Sequence, residues 1–528
     1  MGTGHTVVIP CAGLGTRMGG LTRHLSKALV SVGGKPALAR VIDQFGADAR
    51  IVVALGYKGD TVREFLELAY PGRDIAYVDV QPYEGPGSGL GHTLRCAAHL
   101  LQEPFVFCSC DTLVAGAVPP PDRDWAGWAD VDPDGMDAYR TLEIDAGRVS
   151  RVNAKGGHGP ASRAYIGLAG IHDWRLFWAA MEAGGEPAVA EGEAWGLDAV
   201  AREGRVTALA FDWTDVGTRE KLEAVEDRFV PEVRATILPK ENEAIWFVNG
   251  LVVKFSDDPR FIADRVERAA GLAGWVPELT GHRTHMYAYR RVEGTILSAA
   301  VTLPAFDRLL ERCREFWRPA SLDSAQRRDF RAACLKFYRD KTRDRLSAFY
   351  ARFGKADGPL VIDGIATPPV GEILAGLDWD WLADGLPGRF HGDFHFENIL
   401  LADDGRFVFL DWRQEFCGDR EVGDIYYDLA KLLHGLIVNH ELIAADHYQA
   451  GWEGDRLGFD FLRRQRLVDC EARFMEWLPA AGFDARKVRI LCALVYLNIA
   501  ALHHHPYCLL LYGLGTRMLH AETVRAAR

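Results

Sequence analysis

The sequence predicts an α/β domain followed by an α+β domain of two lobes, one small and strand-rich, the other large and helical. Three observations predict this. The first third alternates short apolar runs with helical patterns, as a largely parallel sheet with covered faces requires. Near residues 229–240 the alternation stops, and the hairpin signal Asn249-Gly250 comes next. Beyond residue 305 long amphipathic segments take over, and the C-terminal hundred residues read as almost wholly helical.

In order, strands are expected at Thr6–Pro10, Ile51–Leu55, Ile75–Val80 and Phe105–Cys110. Helices are expected at Pro36–Phe45, Thr61–Ala69 and His92–Leu101. Pro119–Gly135 is rich in Pro, Asp and Gly and reads as loop. Glu243–Phe255 reads as two strands, and Ala305–Trp317 and Ala325–Phe353 as helices. The expected division is 1–230, a linker at 231–237, and 238–528, with the small lobe ending near 295 and the large lobe from 296. No internal repeat or low-complexity tract is visible.

With 48% hydrophobic and 25% charged residues, 528 residues supply ample core, which excludes disorder as the organising theme. A net charge of −12 argues against a nucleic-acid binder but permits a local cationic nucleotide pocket. No run of about 18 apolar residues occurs, so no membrane span is expected; Ile490–Leu502 is too short and contains Asn498. No basic n-region precedes an apolar run, so no signal peptide is expected and the location reads as cytoplasmic. The ten cysteines are scattered, and Cys108 and Cys110 lack zinc-site spacing; they read as reduced core residues.

Strand Thr6–Pro10 runs into Gly13-Leu14-Gly15-Thr16-Arg17. A glycine turn after a strand brings backbone N–H groups close to phosphates, and Arg17 and Lys27 supply charge for a triphosphate. The spacing is neither a Rossmann fingerprint nor a Walker loop. With Lys35-Pro36 downstream, the stretch resembles the signature of the sugar-nucleotidyltransferase family. Gly85–Leu94, Asp111 and Trp213–Thr218 match later family segments in order. Two positions depart: Ser26 stands where the family has proline, and Cys110 where it has glycine.

That resemblance implies a Rossmann-like, GT-A-like fold over residues 1 to about 228. It makes Arg17 and Lys27 catalytic, and Gly13, Gly15 and Thr16 nucleotide-binding, with Gly87, Ser88 and Gly89 nearest the base. It makes Asp111 and Asp215 ligands for Mg²⁺ and assigns Lys155 to the acceptor's phosphate. Two carboxylates from distant positions can hold a metal that neutralises the α-phosphate during in-line attack.

Phe390–Leu400 reads FHGDFHFENIL and Phe407–Trp412 reads FVFLDW. An Asp to orient and deprotonate a hydroxyl, then Asn and a second Asp to ligate Mg²⁺ on a triphosphate, is the layout phosphoryl transfer needs. The pattern resembles the aminoglycoside phosphotransferase and choline kinase family, which implies a bilobal protein-kinase-like fold. By that resemblance Asp393 is the base, Asn398 and Asp411 are metal ligands, and Asp428 is a structural anchor. His391 and His395 are expected to buttress the loop. Lys254 occupies the ATP-lysine position, Glu267 is its expected partner with Asp264 competing, and Tyr287–Gly294 reads as the adenine hinge. His503–His505, Trp452, Trp477 and Tyr507 read as helix-end or packing residues rather than a metal site or an aromatic cage.

Together the halves imply a bifunctional enzyme with Mg²⁺ at both sites, partnered by ATP, a second NTP (CTP or UTP) and a small sugar or alcohol. The preferred reading phosphorylates a sugar at its anomeric hydroxyl and makes a nucleotide sugar for polysaccharide or cell-surface assembly. The first alternative is a choline or amino-alcohol kinase joined to a CTP:phosphocholine-type cytidylyltransferase. The second is an antibiotic-type phosphotransferase with a non-catalytic N-terminal domain. Oligomeric state stays open.

Overall fold

The computed structural model describes residues 4–159, 161–225, 228–229 and 242–526. The chain packs as two compact units, one of residues 1–259 with 280–290, the other of 260–279 with 291–528. The division expected from sequence at 231–237 lies outside the described residues, and the strands beyond it pack with the first unit.

In the first unit, β1 (Thr6–Cys11), β2 (Arg50–Leu55), β3 (Ile75–Asp79) and β4 (Phe105–Cys108) are followed by β5 (Thr112–Ala115) and β6 (Trp125–Ala129). Then come β7 (Thr141–Asp145), β8 (Arg148–Asn153), β9 (Ser162–Ile171), β10 (Thr207–Ala210) and β11 (Asp212–Asp215). Nine of them form one sheet in the order β3-β2-β1-β4-β9-β6-β10-β8-β7. The first four are parallel, as expected, but β9 runs antiparallel to both its neighbours, so the sheet is mixed. Alternation sorts the central side chains. Val7, Ile9, Ile51 and Val53 enter one core, and Val8, Val52, Phe105 and Phe107 the other. One expectation is corrected here: within the supposed loop 119–135, Trp125–Ala129 forms a buried strand. Its indole and small residues fit the sheet interior, and the flanking Pro and Asp residues hid it.

Apart from the large sheet, β5 and β11 pair antiparallel, with Asp215 opposite Thr112. Helix α1 (Gly59–Ala69) carries buried Val62, Phe65 and Leu66 on one face. The hairpin β12 (Glu243–Val248) and β13 (Leu251–Ser256) turns at Asn249, φ 53°, as the Asn-Gly signal requires. With β14 (Leu279–His282) and β15 (Met286–Arg290) it makes a four-stranded sheet. Trp246, Val253 and Phe255 of that sheet join the same core as Phe65, and Phe65 meets Trp246 edge-on at 5.3 Å. The N–H of Phe247 donates to Gly34 O at 2.9 Å, and Asn249 Nδ2 to Ala69 O at 2.9 Å. Asp257, just past β13, pairs with His24 at 2.7 Å.

The second unit contains α2 (Pro259–Gly271), α3 (Ser324–Leu335), α4 (Lys341–Phe353) and α5 (Ile425–Ile437). In a small sheet of β16 (Gly294–Ile296), β17 (Ile399–Ala402) and β18 (Phe407–Phe409), β17 is the middle strand and residues 390–398 lead into it. A second correction falls in the C-terminal hundred residues. Besides helices Gln465–Ala480, Ala485–Ala500 and Tyr507–Ala526, they contain the hairpin Tyr448–Glu453 and Arg456–Phe461, turning at Gly454 with φ 56°. Among the described residues no helix is long and apolar enough to cross a membrane.

Candidate active sites

The first site is a cleft of about 400 Å³ at the C-terminal ends of β1 and β4. Gly13, Gly15, Thr16, Arg17, Lys27, Ser88, Gly89, Cys110, Asp111 and Gly217 line it. Gly15 sits at φ 69°, and a Cβ there would stand 2.8 Å from Lys27 Cβ, so only glycine lets the turn and the lysine close together. Gly87 is beside the lining residue Ser88, in the turn that Ser88 closes through Gly85 O at 2.7 Å. Ser26 holds φ −63° and ψ 144°, values a proline would adopt, so the loop keeps its shape without the ring.

Lys27 Nζ donates to Asp111 Oδ2. The pair holds Asp111 below the ordinary carboxylate range although burial pushes the other way, with Arg17 adding to the effect. Asp215 is delivered by β11. Its Oδ2 accepts from Lys221 at 2.6 Å and from Tyr139 at 3.0 Å, and its Oδ1 accepts the Gly217 N–H at 2.7 Å. A Cβ built on Gly217 would lie 2.7 Å from Asp111 Oδ2 and 2.9 Å from Asp215 Oδ1. Two carboxylates separated by 104 positions thus face one small hollow that glycine leaves open. Their hard oxygen donors fit Mg²⁺.

Lys155 is exposed. Burial first, then Arg17, Arg140 and Lys221, lower its pKa, and Asp215 opposes them. The excess of cations on this rim favours an anion. Lys221 and Tyr139 were not foreseen. Lys221 lies six residues past Asp215, but nothing in the sequence joins Tyr139 to either. Lys35 of the matched Lys-Pro step pairs with Asp43, away from the cleft lining.

The second site lies in the second unit. Asp428, on α5, accepts the N–H groups of His391 at 2.6 Å and Gly392 at 2.7 Å and Trp317 Nε1 at 3.1 Å. Arg268 of α2 donates to Phe390 O at 2.6 Å. These bonds fix the backbone on which Asp393 stands. His391, fully buried, is neutral: burial takes it down to about 3, and its Nε2 bonds Leu410 O at 2.9 Å.

Asn398 Nδ2 donates to Asp393 O at 3.0 Å and Oδ2 at 3.1 Å, bonds that leave its amide oxygen to other partners. Asp411 adopts φ 58°, a strained position for a non-glycine, and its Oδ1 accepts from Arg265. Amide and carboxylate oxygens again suit Mg²⁺.

The carboxylate of Asp393 is 38% exposed and meets Lys431 Nζ at 2.8 Å and His395 Nε2 at 3.5 Å. Burial would raise its pKa, but Lys431 and then His395 hold it well below the carboxylate range. His395 Nδ1 bonds Glu397 Oε2 at 2.9 Å; despite burial, the carboxylates of Asp393 and Glu397 raise it to about 9. Lys431 was not anticipated, although it lies one turn beyond Asp428 on the same helix.

Lys254 is on β13 in the first unit, opposite Tyr287. Glu267, its expected partner, lies on α2 and shares Arg420 with Asp264, at 3.1 and 2.7 Å respectively.

Residues 7–117 match the family model of the MobA-like NTP transferase domain, and residues 258–467 that of the Phosphotransferase enzyme family. A UTP--glucose-1-phosphate uridylyltransferase, AglF of Haloferax volcanii, is 32% identical over 109 residues, 20% of this chain and 43% of that protein. A Bacillus subtilis protein named "Probable glucose-1-phosphate cytidylyltransferase" is 40% identical over 60 residues, 11% and 24% of the two chains. The chain therefore spans under half the length of these curated relatives. Among solved structures, a UDP-glucose pyrophosphorylase complexed with UDP-glucose is 16% identical with a TM-score of 0.38, covering 43% of this chain and 98% of that one.

Proposed function

We propose that this chain, which joins a MobA-like NTP transferase domain to a phosphotransferase-family domain, makes a nucleotide-activated sugar in two steps. The C-terminal half phosphorylates a small hydroxyl substrate with ATP. The N-terminal half couples the phosphomonoester to an NTP, with UTP or CTP as donor, and releases pyrophosphate. The observation that carries the reading is the meeting of Asp111 and Asp215 at Gly217, beside Lys27 and within the field of Lys155.

In the cleft, the turn Gly13–Arg17 and Lys27 hold the triphosphate, and Lys155 holds the acceptor's phosphate in line with it. A divalent ion between Asp111 and Asp215 would supply charge neutralisation at the α-phosphate. In the second site Asp393 accepts the substrate's hydroxyl proton, and Asn398 and Asp411 would hold a divalent ion that neutralises the nucleotide's phosphates. We place both steps in the cytoplasm and the product in polysaccharide or cell-surface assembly.

The test supplies CTP, UTP, GTP or dTTP with sugar 1-phosphates or alcohol phosphates and reads pyrophosphate. Asp111→Asn and Asp215→Asn should abolish release, and Asp393→Asn should abolish only ATP-dependent phosphorylation. Undiminished release in both N-terminal variants overturns the metal assignment.

A further inference from the structure

Between Ser324 and Phe353 the helix is interrupted by a π turn, Lys336–Asp340. One extra residue in the turn re-aims the side chains beyond it, and such turns gather at functional sites. Phe337, in that turn, is buried. Lys341 Nζ lies over its ring at 4.1 Å and Arg413 Cζ at 5.0 Å, while Tyr427 meets its edge at 4.8 Å. Tyr427 and Lys431 are four apart on α5, hence on one face. Lys431 reaches Asp393. The N–H of Arg413 donates to His391 O at 2.9 Å, and a Cβ on Gly392 would stand 2.5 Å from Arg413 Cβ. The contacts therefore close a ring around the base, from Asp393 through Lys431, Tyr427, Phe337 and Arg413 back to Gly392.

Charge in that ring is one-sided. Arg345 lies one turn beyond Lys341 on α4; among the described residues, Lys341, Arg345 and Arg413 have no carboxylate at ion-pair distance, Asp393 is already taken by Lys431, and Arg413 Nε donates to the Glu415 carbonyl at 3.0 Å. Burial, then Arg413, Arg345 and Lys431, bring Lys341 down to about 7. Half-buried cations gathered without a carboxylate partner are costly until an anion joins them.

We propose that the acceptor of the phosphotransferase half is an anionic hydroxyl compound, a sugar or polyol carrying a carboxylate or phosphate. Its anionic group sits on Lys341, Arg345 and Arg413 and its hydroxyl meets Asp393; this rests on the reading of Asp393 as the base. The hydroxyl O–H bond breaks and its proton passes to Asp393. The oxygen forms a bond to the γ-phosphorus as the bond to the β,γ-bridging oxygen breaks, leaving ADP. A quaternary ammonium needs an open aromatic face and acids. Here Phe337 already carries two cations, which turns the site against choline.

The test titrates glucuronate, glucose 6-phosphate, glucose and choline into the full chain by calorimetry, then measures ADP formation with each. At least one anion should bind, more weakly as salt rises, and Lys341→Gln and Arg345→Gln should each weaken it about 10-fold, one charge-assisted bond's worth. KM for that acceptor should rise while KM for ATP stays constant. The two anions tell carboxylate from phosphate. Glucose or choline binding as tightly as either anion, or KM for ATP moving in place of the acceptor's, overturns the proposal. ADP formed with glucose or choline alone removes the anion site and leaves the reaction. Lys341-dependent anion binding without ADP from any acceptor does the reverse.

Discussion

Lys431 Nζ stands 2.8 Å from Asp393 Oδ1, and its side chain is only 9% exposed. A buried ammonium thus fixes the orientation and the charge of the group read as general base.

Lys431→Met should therefore lower ATP-dependent phosphorylation on the order of 100-fold and move the acid limb of its pH profile upward, because the ammonium is what holds Asp393 below the carboxylate range. Pyrophosphate release from a supplied phosphomonoester should not change. A fall in rate with an unmoved acid limb would reduce Lys431 to packing.

His395 gives a pH signature of opposite sign to an ordinary acid limb. Its folded value is raised to about 9, so its contribution is complete below the unperturbed value of about 6.5 and is lost as pH rises through about 9. The thermal midpoint of the second unit should fall across that interval. Lys341, lowered to about 7, titrates there with the other sign. The quantity to read is accordingly the difference between wild type and His395→Gln, which should lack the decline.

Ser26→Pro should be tolerated. The backbone is already at φ −63°, and the buried hydroxyl it would remove has no hydrogen-bond partner among the described residues. Restricting the unfolded chain should add about 0.4–1 kcal/mol, read as a higher thermal midpoint with pyrophosphate release retained. Loss of release would show that the loop needs a conformation proline forbids.

Trp246→Ala, on the hairpin, should destabilise the nucleotidyltransferase core by about 3–5 kcal/mol, because the indole packs on Phe65 in that core. Pyrophosphate release should be lost on heating at a lower temperature than in wild type. An unchanged inactivation temperature would mean the strand is not part of the fold that carries the first site.

The motif residues were legible because their order and spacing along the chain carry the family resemblances. Gly15, Lys27, Asp111, Asp393 and Asn398 needed no tertiary knowledge. Lys431 and Tyr139 were not legible, because they approach their carboxylates only after helix α5 and a distant chain segment have docked, and Lys221, though only six residues past Asp215, follows no motif spacing. Strand β6 was masked by its Pro- and Asp-rich flanks, which dominate local propensity although Trp125 is wholly buried. The hairpin itself was readable from Asn249-Gly250, but its packing partner was not. An apolar sheet face says that it must be covered, not by what.

That last contact fixes how the two reactions are inherited. Trp246 and Phe255 belong to the strands that carry Lys254, yet they complete the core beneath the first cleft. A gene split ahead of the hairpin would strip that core of its cover and leave raw apolar surface on both products. Copies of the two domains are thus locked at one to one in every cell that makes the chain.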